Sequence, residues 1–256
     1  MDKNLLDINP KKEKNKITDF LKSTLNKQKI KNVIIGLSGG IDSMTSFYLL
    51  KDVLPPENIF IAHLYYFEKS FDDLDKVIKA AGLPSENIHY LSIKKPVDAI
   101  CELLRIGDNK IRIGNVIARI RMIILYDLAK KYNALVCGTE NKSEHYLGYF
   151  TRFGDEASDM EPTRHLYKTQ LYQLASYLDI PKEFIAKHPT AGLWEGQTDE
   201  KEFGFSYRDA DPILYLYFDK KMTLENIKNM GFANAEKIIN FANKNAYKHN
   251  TPYVLK

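Results

Sequence analysis

Cysteine is scarce in this 256-residue chain, which contains only Cys101 and Cys137. Neither belongs to a Cys-X-X-Cys pair, so the spacing excludes a cysteine-based structural zinc site and a catalytic cysteine pair. We expect both thiols to be buried in a reducing cytoplasm. A domain of this length buries enough surface to be stable without disulfide bonds.

Long hydrophobic runs are also absent. No uncharged apolar run approaches the roughly 18 residues that a membrane-spanning helix needs. The first residues, Met-Asp-Lys-Asn, lack the apolar region of a signal peptide. We therefore predict a soluble, cytoplasmic protein without a membrane partner.

Charge of one sign is not strongly in excess. The formal net charge is +4 and the excess is spread along the chain, apart from a lysine-rich stretch from Lys3 to Lys31. A solvated helix face explains that stretch at least as well as nucleic-acid binding does. We predict small-molecule substrates and no nucleic-acid partner.

Short β-branched runs alternate with helical segments in the first 140 residues. Predicted strands cover 32–37, 59–65, 88–93 and 134–138. Predicted helices cover 17–25, 43–52, 71–81, 96–104 and 115–132. This alternation predicts an α/β fold with a doubly wound, mostly parallel sheet flanked by helices.

The pattern changes after residue 139, where helices continue without a further convincing strand. Long loops at 150–164 and 189–201 are candidates for functional lids, and two short helices are predicted between residues 223 and 248. We interpret residues 1–256 as a single domain. Its parts are an N-terminal helix (1–30), a nucleotide-binding α/β core (31–140) and a mostly helical part with substrate loops (141–256).

The predicted helix 115–132 is apolar on most sides, as is typical of a buried or interfacial helix. Arg119 lies in its first half. A charge on such a surface needs a partner or a ligand, because burying an unpaired charge is costly. The two interpretations of Arg119 are a buried ion pair and a contact to an anionic ligand.

A glycine-rich turn follows the first predicted strand and opens a helix. Its residues are Gly36, Leu37, Ser38, Gly39, Gly40, Ile41, Asp42 and Ser43. Backbone N–H groups and the helix dipole make such a turn an anion site, and the serine hydroxyls can donate hydrogen bonds. Asp42 repels phosphate, so we assign it to a Mg²⁺ ion that bridges to phosphates. The alternative is a tight turn with a helix cap.

The turn is neither a Walker A loop, because it lacks Gly-Lys-Ser/Thr, nor a Gly-X-Gly-X-X-Gly turn. It resembles the Ser-Gly-Gly-X-Asp-Ser signature of the ATP-pyrophosphatase superfamily. The resemblance implies that ATP is split between its α and β phosphates, with the loop holding the departing pyrophosphate.

Further motifs follow in a fixed order. They are 138–144 (GTENKSE), 148–155 (GYFTRFGD) with Asp159, 166–170 (LYKTQ), 189–194 (PTAGLW) and 197–200 (QTDE). Together they resemble the ammonia-dependent NAD synthetase family over about residues 31–218, with a weaker match at 246–248. The resemblance implies an adenine nucleotide alpha hydrolase-like fold and a homodimer joined at the long apolar helix. The implied reaction is the ATP- and Mg²⁺-dependent amidation of deamido-NAD by ammonia through an adenylylated intermediate.

The resemblance also implies a role for individual residues. The implied ATP site comprises Gly36, Leu37, Ser38, Gly39, Gly40, Ile41, Asp42, Ser43, Thr139, Lys168 and Thr190. The implied metal ligands are Asp42 and Glu144, and the implied catalytic residues are Asp42, Lys168 and Asp155. The implied deamido-NAD contacts are Arg119, Arg152, Asp159, Tyr247 and Lys248.

Three segments depart from the family pattern. Glu156 and Ala157 follow Asp155 where Gly-Asp-Gly is common, Gly192 replaces an aspartate, and residues 63–67 lack the usual proline. These departures concern substrate contacts. Two alternatives stay open: a tRNA-modifying or purine-amidating ATP pyrophosphatase, and a nucleotide-binding regulator without catalysis.

Overall fold

A parallel sheet lies at the centre of the molecule. The computed structural model describes residues 5–68, 70–249 and 252–255. The strands are β1 (Asn32–Gly36), β2 (Ile59–Tyr65), β3 (Ile88–Ser92) and β4 (Ala134–Cys137), in the order β3-β2-β1-β4. All three pairings are parallel, with Ile34 of β1 opposite Phe60 and Val136.

Helices surround this sheet and make up most of the second half. They are α1 (Pro10–Gln28), α2 (Ile41–Lys51), α3 (Asp72–Ala80), α4 (Lys94–Leu103), α5 (Lys110–Tyr132), α6 (Lys142–Leu147), α7 (Lys168–Tyr177), α8 (Lys182–Ile185), α9 (Asp199–Phe203), α10 (Tyr207–Leu214), α11 (Leu224–Asn229) and α12 (Ala235–Asn245). Single turns occupy Pro56–Asn58, Ser85–Asn87, Tyr215–Asp219 and Ala246–Lys248.

Two helices begin earlier than the apolar periodicity predicts. The Asn9 side chain accepts a hydrogen bond from Lys12 N and caps α1, with Pro10 in the first helical position. Asn109 caps α5 in the same way, through Arg112 N. Asparagine caps satisfy free N–H groups and stabilise both helix starts. The helix α1 therefore extends over the polar residues 10–16, and α5 gains Ile113, which packs against the core.

Neighbouring residues of β1 enter different cores. Val33 and Ile35 pack with α1, α2, α3 and α7, whereas Ile34 packs with residues of α4 and α5. The alternation follows from the two-residue period of a strand with helices on both faces. The predicted doubly wound α/β class is confirmed.

A third apolar cluster joins α6 to α9, α10, α11 and α12. Within the described residues, β4 is the last strand, and only an isolated bridge between Cys137 and Met160 extends the pairing. The two predicted C-terminal helices are confirmed as α11 and α12. The division into 1–30, 31–140 and 141–256 stays a prediction.

Two expectations about the surface have different outcomes. Cys137 is buried, but Cys101 is only half-buried, because α4 turns Val97 inward and leaves its last turn at the surface. Lys3 lies outside the described residues, and the lysines that follow it on α1 are largely exposed.

Nowhere in 5–68, 70–249 or 252–255 does a helix combine the length and apolarity needed to cross a membrane.

The order of the strands places two loops side by side. The chain winds from β1 through β2 to β3, then crosses to β4 on the other side of β1. The loops after β1 and β4 therefore leave the same sheet edge at the point where the winding reverses. Such switch points are the usual ligand sites of open α/β sheets.

Candidate active site

A cavity of about 230 Å³ opens at this switch point. Its wall combines the loops after β1 and β4, one side of α5, the N-terminus of α7 and residues 190–199. The predicted residues that line it are Gly36, Leu37, Ser38, Gly40, Asp42, Ser43, Thr139, Glu144, Asp155, Lys168 and Thr190. Most of the predicted nucleotide site is thus brought together around one space.

The loop after β1 is held by its own serines. Ser38 Oγ accepts a hydrogen bond from Gly40 N at 3.2 Å, and Ser43 Oγ donates to the Gly40 carbonyl at 3.0 Å. Gly39 adopts a φ of +77°, which favours glycine. The N-terminus of α2 has no side-chain cap in the described structure, which leaves its N–H groups for an anion.

Ile41 and Gly39 do not line the cavity. Ile41 is 3% exposed and belongs to the core, where it anchors the first turn of α2. Gly39 lies against Lys187 and Phe184. Their place in the motif reflects the shape of the loop, because neither presents a side chain to the cavity.

The ammonium group of Lys168 lies between two carboxylates at the base of the loop. Lys168 Nζ lies 2.6 Å from Asp42 Oδ2 and 3.3 Å from Glu144 Oε1, although these residues come from three separate elements. Lys168 is 1% exposed, and its ammonium lies over the ring of Tyr207. A cation therefore already bridges the two predicted metal ligands.

Asn141 orients both carboxylates. Its Nδ2 donates to Asp42 Oδ1 at 2.8 Å, and its Oδ1 accepts from Glu144 N at 3.0 Å. The Glu144 side chain accepts a hydrogen bond from Asn141 N, which completes a capping box on α6. The sequence signal was available, since Asn followed three positions later by Glu is typical of such a box.

The electrostatics of this cluster follow from its excess of carboxyl groups. Burial, and next the charge of Asp42, raise the pKa of Glu144. Burial alone lowers the pKa of Lys168, but the combined attraction of Asp42, Glu144 and Asp199 outweighs it, so the lysine stays protonated. The cavity thus favours additional positive charge.

Asp211 ties the helices of Glu144 and Lys168 together, a role that the sequence did not reveal. Its carboxylate accepts hydrogen bonds from Ser143 Oγ at 2.5 Å and from Thr169 N at 2.8 Å. Ser143 Oγ in turn accepts from Lys168 N at 2.8 Å. Burial raises the pKa of Asp211 to about 6, and it is fully buried in α10.

The remaining predicted nucleotide residues lie around the rim. Thr190 Oγ1 accepts a hydrogen bond from Gly192 N at 3.1 Å, which shapes the turn after residue 189. Asp155 Oδ1 accepts from Thr151 N at 2.9 Å, so its carboxylate is fixed at the cavity wall. Leu193 packs against Gly114 of α5 and closes the cavity on that side.

Comparison with known proteins gives the family. Residues 13–252 match the NAD synthase family model. The chain is 39% identical over 255 residues to the NH(3)-dependent NAD(+) synthetase of Fusobacterium nucleatum, covering 99% of this chain and 98% of that relative. It is 42% identical over 212 residues to the same enzyme of Thermococcus kodakarensis, covering 82% of each chain. The chain belongs to the NAD synthase family.

Solved structures of similar proteins agree with this assignment. NMN synthetase from Francisella tularensis has a TM-score of 0.82 and 32% identity, covering 97% of this chain and 99% of that one. The NH3-dependent NAD synthetase from Campylobacter jejuni has a TM-score of 0.79 and 30% identity, covering 97% and 100%. The family prediction made from the motifs is confirmed. The chain is an enzyme, a ligase with small-molecule substrates of which ATP is one.

The predicted dinucleotide contacts of this NAD synthase family member lie away from the cavity. Arg119 is exposed, and its Nε donates to the Arg152 carbonyl at 3.3 Å. The Arg152 guanidinium lies 5.2 Å from the centre of the Tyr247 ring. Lys248 Nζ donates to the carbonyls of Gly148 and Phe150. Arg119, Arg152, Tyr247 and Lys248 form one group outside the cavity lining.

The interpretation of Arg119 as a buried ion pair is wrong. The inward arginine of α5 is Arg121, which lines the cavity and donates from Nε to the Leu64 carbonyl at 3.2 Å. Burial lowers the pKa of Arg121, and Asp155 partly offsets this. Apolar residues surround both arginines in the sequence, so periodicity did not show which one turns inward.

Asp159 borders a second cavity of about 590 Å³, between α1 and residues 158–165. Its Oδ2 accepts a hydrogen bond from Val136 N at 2.7 Å. Asp159 thereby satisfies a backbone N–H on the outer edge of β4, where, among the described residues, only the isolated Cys137–Met160 bridge continues the pairing. It is not grouped with Arg119.

Glu161 occupies the space next to Gly138, at the end of β4. A Cβ on Gly138 would overlap the Glu161 carboxyl group, so any larger residue there would displace that side chain. Glu161 accepts hydrogen bonds from Ser158 Oγ at 2.8 Å and Glu140 N at 3.0 Å. Burial raises the pKa of Glu161 to about 8.

Replacing Glu161 by Gln is expected to stabilise the protein more at high pH than at low pH. The folded state holds the Glu161 proton more tightly than the unfolded state, so its contribution to stability is lost as pH rises towards about 8. Glutamine does not titrate. We expect the change in free energy of unfolding caused by the substitution to be about 1–3 kcal/mol more favourable at pH 8 than near pH 5. Urea unfolding at both pH values measures this, and a pH-independent difference would contradict it.

Proposed function

We propose that this chain amidates deamido-NAD with ammonia, using ATP, and releases NAD, AMP and pyrophosphate. The observation that carries the proposal is the Lys168 ammonium held by Asp42 and Glu144 directly beside the open N-terminus of α2. An anion cradle, a lysine ammonium and two carboxylates are the groups that ATP cleavage at the α-phosphate requires. Relatives named for ammonia-dependent NAD synthesis support the choice of substrate.

The chain's own residues would act mainly on the first half-reaction. A carboxylate is a poor acyl donor, so the nicotinate oxygen attacks the α-phosphate and acquires AMP as a leaving group. The loop from Ser38 to Ser43 would receive the departing pyrophosphate through its N–H groups and hydroxyls. Lys168 would stabilise the charge that develops on the departing oxygens.

Magnesium fits the donor set of this cavity. Asp42 and Glu144 offer carboxylate oxygens that already converge on one cation, the Lys168 ammonium. Mg²⁺ typically takes one or two carboxylates and completes its shell with phosphates and water, so two protein ligands suffice. When bound, the ion would neutralise phosphate charge and polarise the α-phosphate.

The second half-reaction would use the far wall of the cavity. Asp155 lies there with its carboxylate fixed by Thr151 N, and would orient ammonium and accept a proton as nitrogen attacks the acyl-adenylate. We assign the dinucleotide to the group formed by Arg119, Arg152, Tyr247 and Lys248, with Asp159 from the neighbouring cavity.

One assay tests the proposal: purified protein with ATP, Mg²⁺, ammonium and deamido-NAD, followed for all products. We expect NAD, AMP and pyrophosphate in equal amounts. ADP in place of AMP, or AMP formation that does not depend on deamido-NAD, would contradict it. The first result points to a different bond cleavage, and the second to a different substrate.

A second candidate substrate is nicotinate mononucleotide. It is favoured by the likeness to the Francisella tularensis NMN synthetase, at 32% identity over nearly the whole of both chains. The two substrates carry the same reacting carboxylate, so the cavity chemistry does not separate them. Comparing kcat/KM for both in the same assay does, and we expect the dinucleotide to give the higher value.

We also propose a homodimer in which α5 takes part. Ile123 and Ile111 of this helix are 54% and 69% exposed, and Leu103 at the end of α4 is 79% exposed. Exposed apolar side chains at this density are typical of an interface. Light scattering should give twice the chain mass of 29.6 kDa, whereas a monomer mass would contradict the dimer. The cytoplasmic location stays a prediction.

A further inference from the structure

A fourth carboxylate lines the same cavity and has no role in the proposal so far. Asp199, the first residue of α9, is 2% exposed. Its Oδ2 accepts a hydrogen bond from Tyr207 OH at 3.0 Å. Its Oδ1 is buried and, within the described part of the chain, lacks a hydrogen-bond partner. An unpartnered carboxylate oxygen that is buried is costly unless something is bound there in another state.

A divalent cation at this site would compete with Lys168. The lysine ammonium lies between Asp42 and Glu144, the residues that we assign to Mg²⁺, at 2.6 Å and 3.3 Å from their oxygens. A divalent cation bound to the same oxygens would repel the ammonium, because like charges repel. The lysine is 1% exposed, so it cannot transfer its charge to bulk water without a large rearrangement.

Asp199 lines the same cavity as Lys168, and Tyr207 contacts both residues. The negative charge of Asp199 also helps to raise the pKa of Lys168. The Tyr207 hydroxyl holds Asp199, while its ring face lies 5.2 Å from Lys168 Nζ. The ring face can therefore stabilise the ammonium on the side of the cavity where Tyr207 holds Asp199.

We propose that Asp199 is a positioning residue that receives the Lys168 ammonium when a divalent cation displaces it from Asp42 and Glu144. This inference rests on the metal site of the proposed function. In this proposal the Lys168 ammonium has two positions. In the ligand-free enzyme it takes the place of the metal ion between Asp42 and Glu144. When metal and nucleotide are bound, it lies next to Asp199 and beside the phosphates. Tyr207 assists by fixing Asp199 and by covering the lysine.

The test is a double-mutant cycle on metal binding. Mn²⁺ affinity is measured by electron paramagnetic resonance, with α,β-methylene-ATP present so that no bond is cleaved. We expect Asp199→Asn to weaken Mn²⁺ binding about tenfold, because the lysine then lacks a second carboxylate. In Lys168→Gln, which has no ammonium to relocate, the same substitution should weaken binding less than about twofold.

Two further variants separate this role from a purely structural one. The amide oxygen introduced by Asp199→Asn can still accept a hydrogen bond from Tyr207 OH. Tyr207→Phe keeps the ring but loses that hydroxyl, so it should weaken Mn²⁺ binding less than Asp199→Asn does. Glu200→Gln removes a carboxylate from the same helix outside the cavity and should leave Mn²⁺ affinity unchanged. Equal weakening by Asp199→Asn with and without Lys168, or no weakening, would overturn the proposal. Deamido-NAD is not involved, so failure of the proposed amidation would be seen separately.

Discussion

Replacing Asp42 by Asn should lower the rate of NAD formation about a hundred- to a thousandfold, with little change in fold. The Asp42 carboxylate lies closer to Lys168 Nζ than the Glu144 carboxylate does, at 2.6 Å against 3.3 Å, and Asn141 fixes its second oxygen. An amide keeps the shape but neither the charge nor the affinity for a hard cation. Initial rates of NAD and pyrophosphate release give the measurement.

Asp52→Asn is the matched control. Asp52 lies at the other end of α2, exposed and paired with Lys14 at 2.7 Å. An exposed pair contributes little, so this variant should keep the parent rate and melting temperature. If Asp42→Asn retained most of the activity, the metal and phosphate roles assigned to the cluster would be wrong.

Replacing Lys168 by Gln should destabilise the protein by about 3 kcal/mol when divalent cations are removed with EDTA. The substitution leaves the carboxyl groups of Asp42, Glu144 and Asp199 together without their shared cation. Saturating Mg²⁺ should restore more stability to the variant than to the parent, because the ion meets no competing ammonium there. Urea unfolding of the parent and of the variant, each with EDTA and with Mg²⁺, gives the four free energies of unfolding to compare.

Lys187→Gln controls for loss of a lysine near the same loop. Lys187 Nζ lies 3.4 Å from the Gly39 carbonyl, but the residue is exposed. Its removal should change neither the stability nor the response to Mg²⁺. A Lys168→Gln variant as stable as the parent in EDTA would show that the carboxylates do not need the ammonium.

The elements around the sheet were predictable because local rules decide them. Runs such as Val33-Ile34-Ile35 can be buried on both faces only in a central strand. The Gly39-Gly40 turn between that strand and a helix also carries its own signal. The predicted helix 115–132 begins later than α5 because the prediction followed apolar periodicity. The observed start is set by the cap Asn109, which that periodicity does not show.

The contacts that build the site were not predictable from pattern. Lys168 reaches Asp42 across 126 positions, and only the packing of α7 against α2 brings them together. Asp199 lies in the 197–200 motif but was given no role, and Asp211 lies outside every motif named from the sequence. Their burial depends on α9 and α10 closing over the cavity, which no local rule specifies. The resemblance named Lys168 but said nothing of its partners.

The position of β4 beside β1 affects when the enzyme can first bind its ligands during synthesis. Asn32 and Tyr132 are hydrogen-bonded across 100 positions, so this edge of the sheet forms only after half the chain has been made. Contacts between segments that are distant in sequence form slowly. The loops after β1 and β4 are therefore not held side by side until these contacts have formed. A nascent chain that ends before Lys168 has Asp42 and Glu144 but not the lysine that neutralises them. We therefore expect nucleotide binding only after Lys168 has been synthesised and has packed beside Asp42.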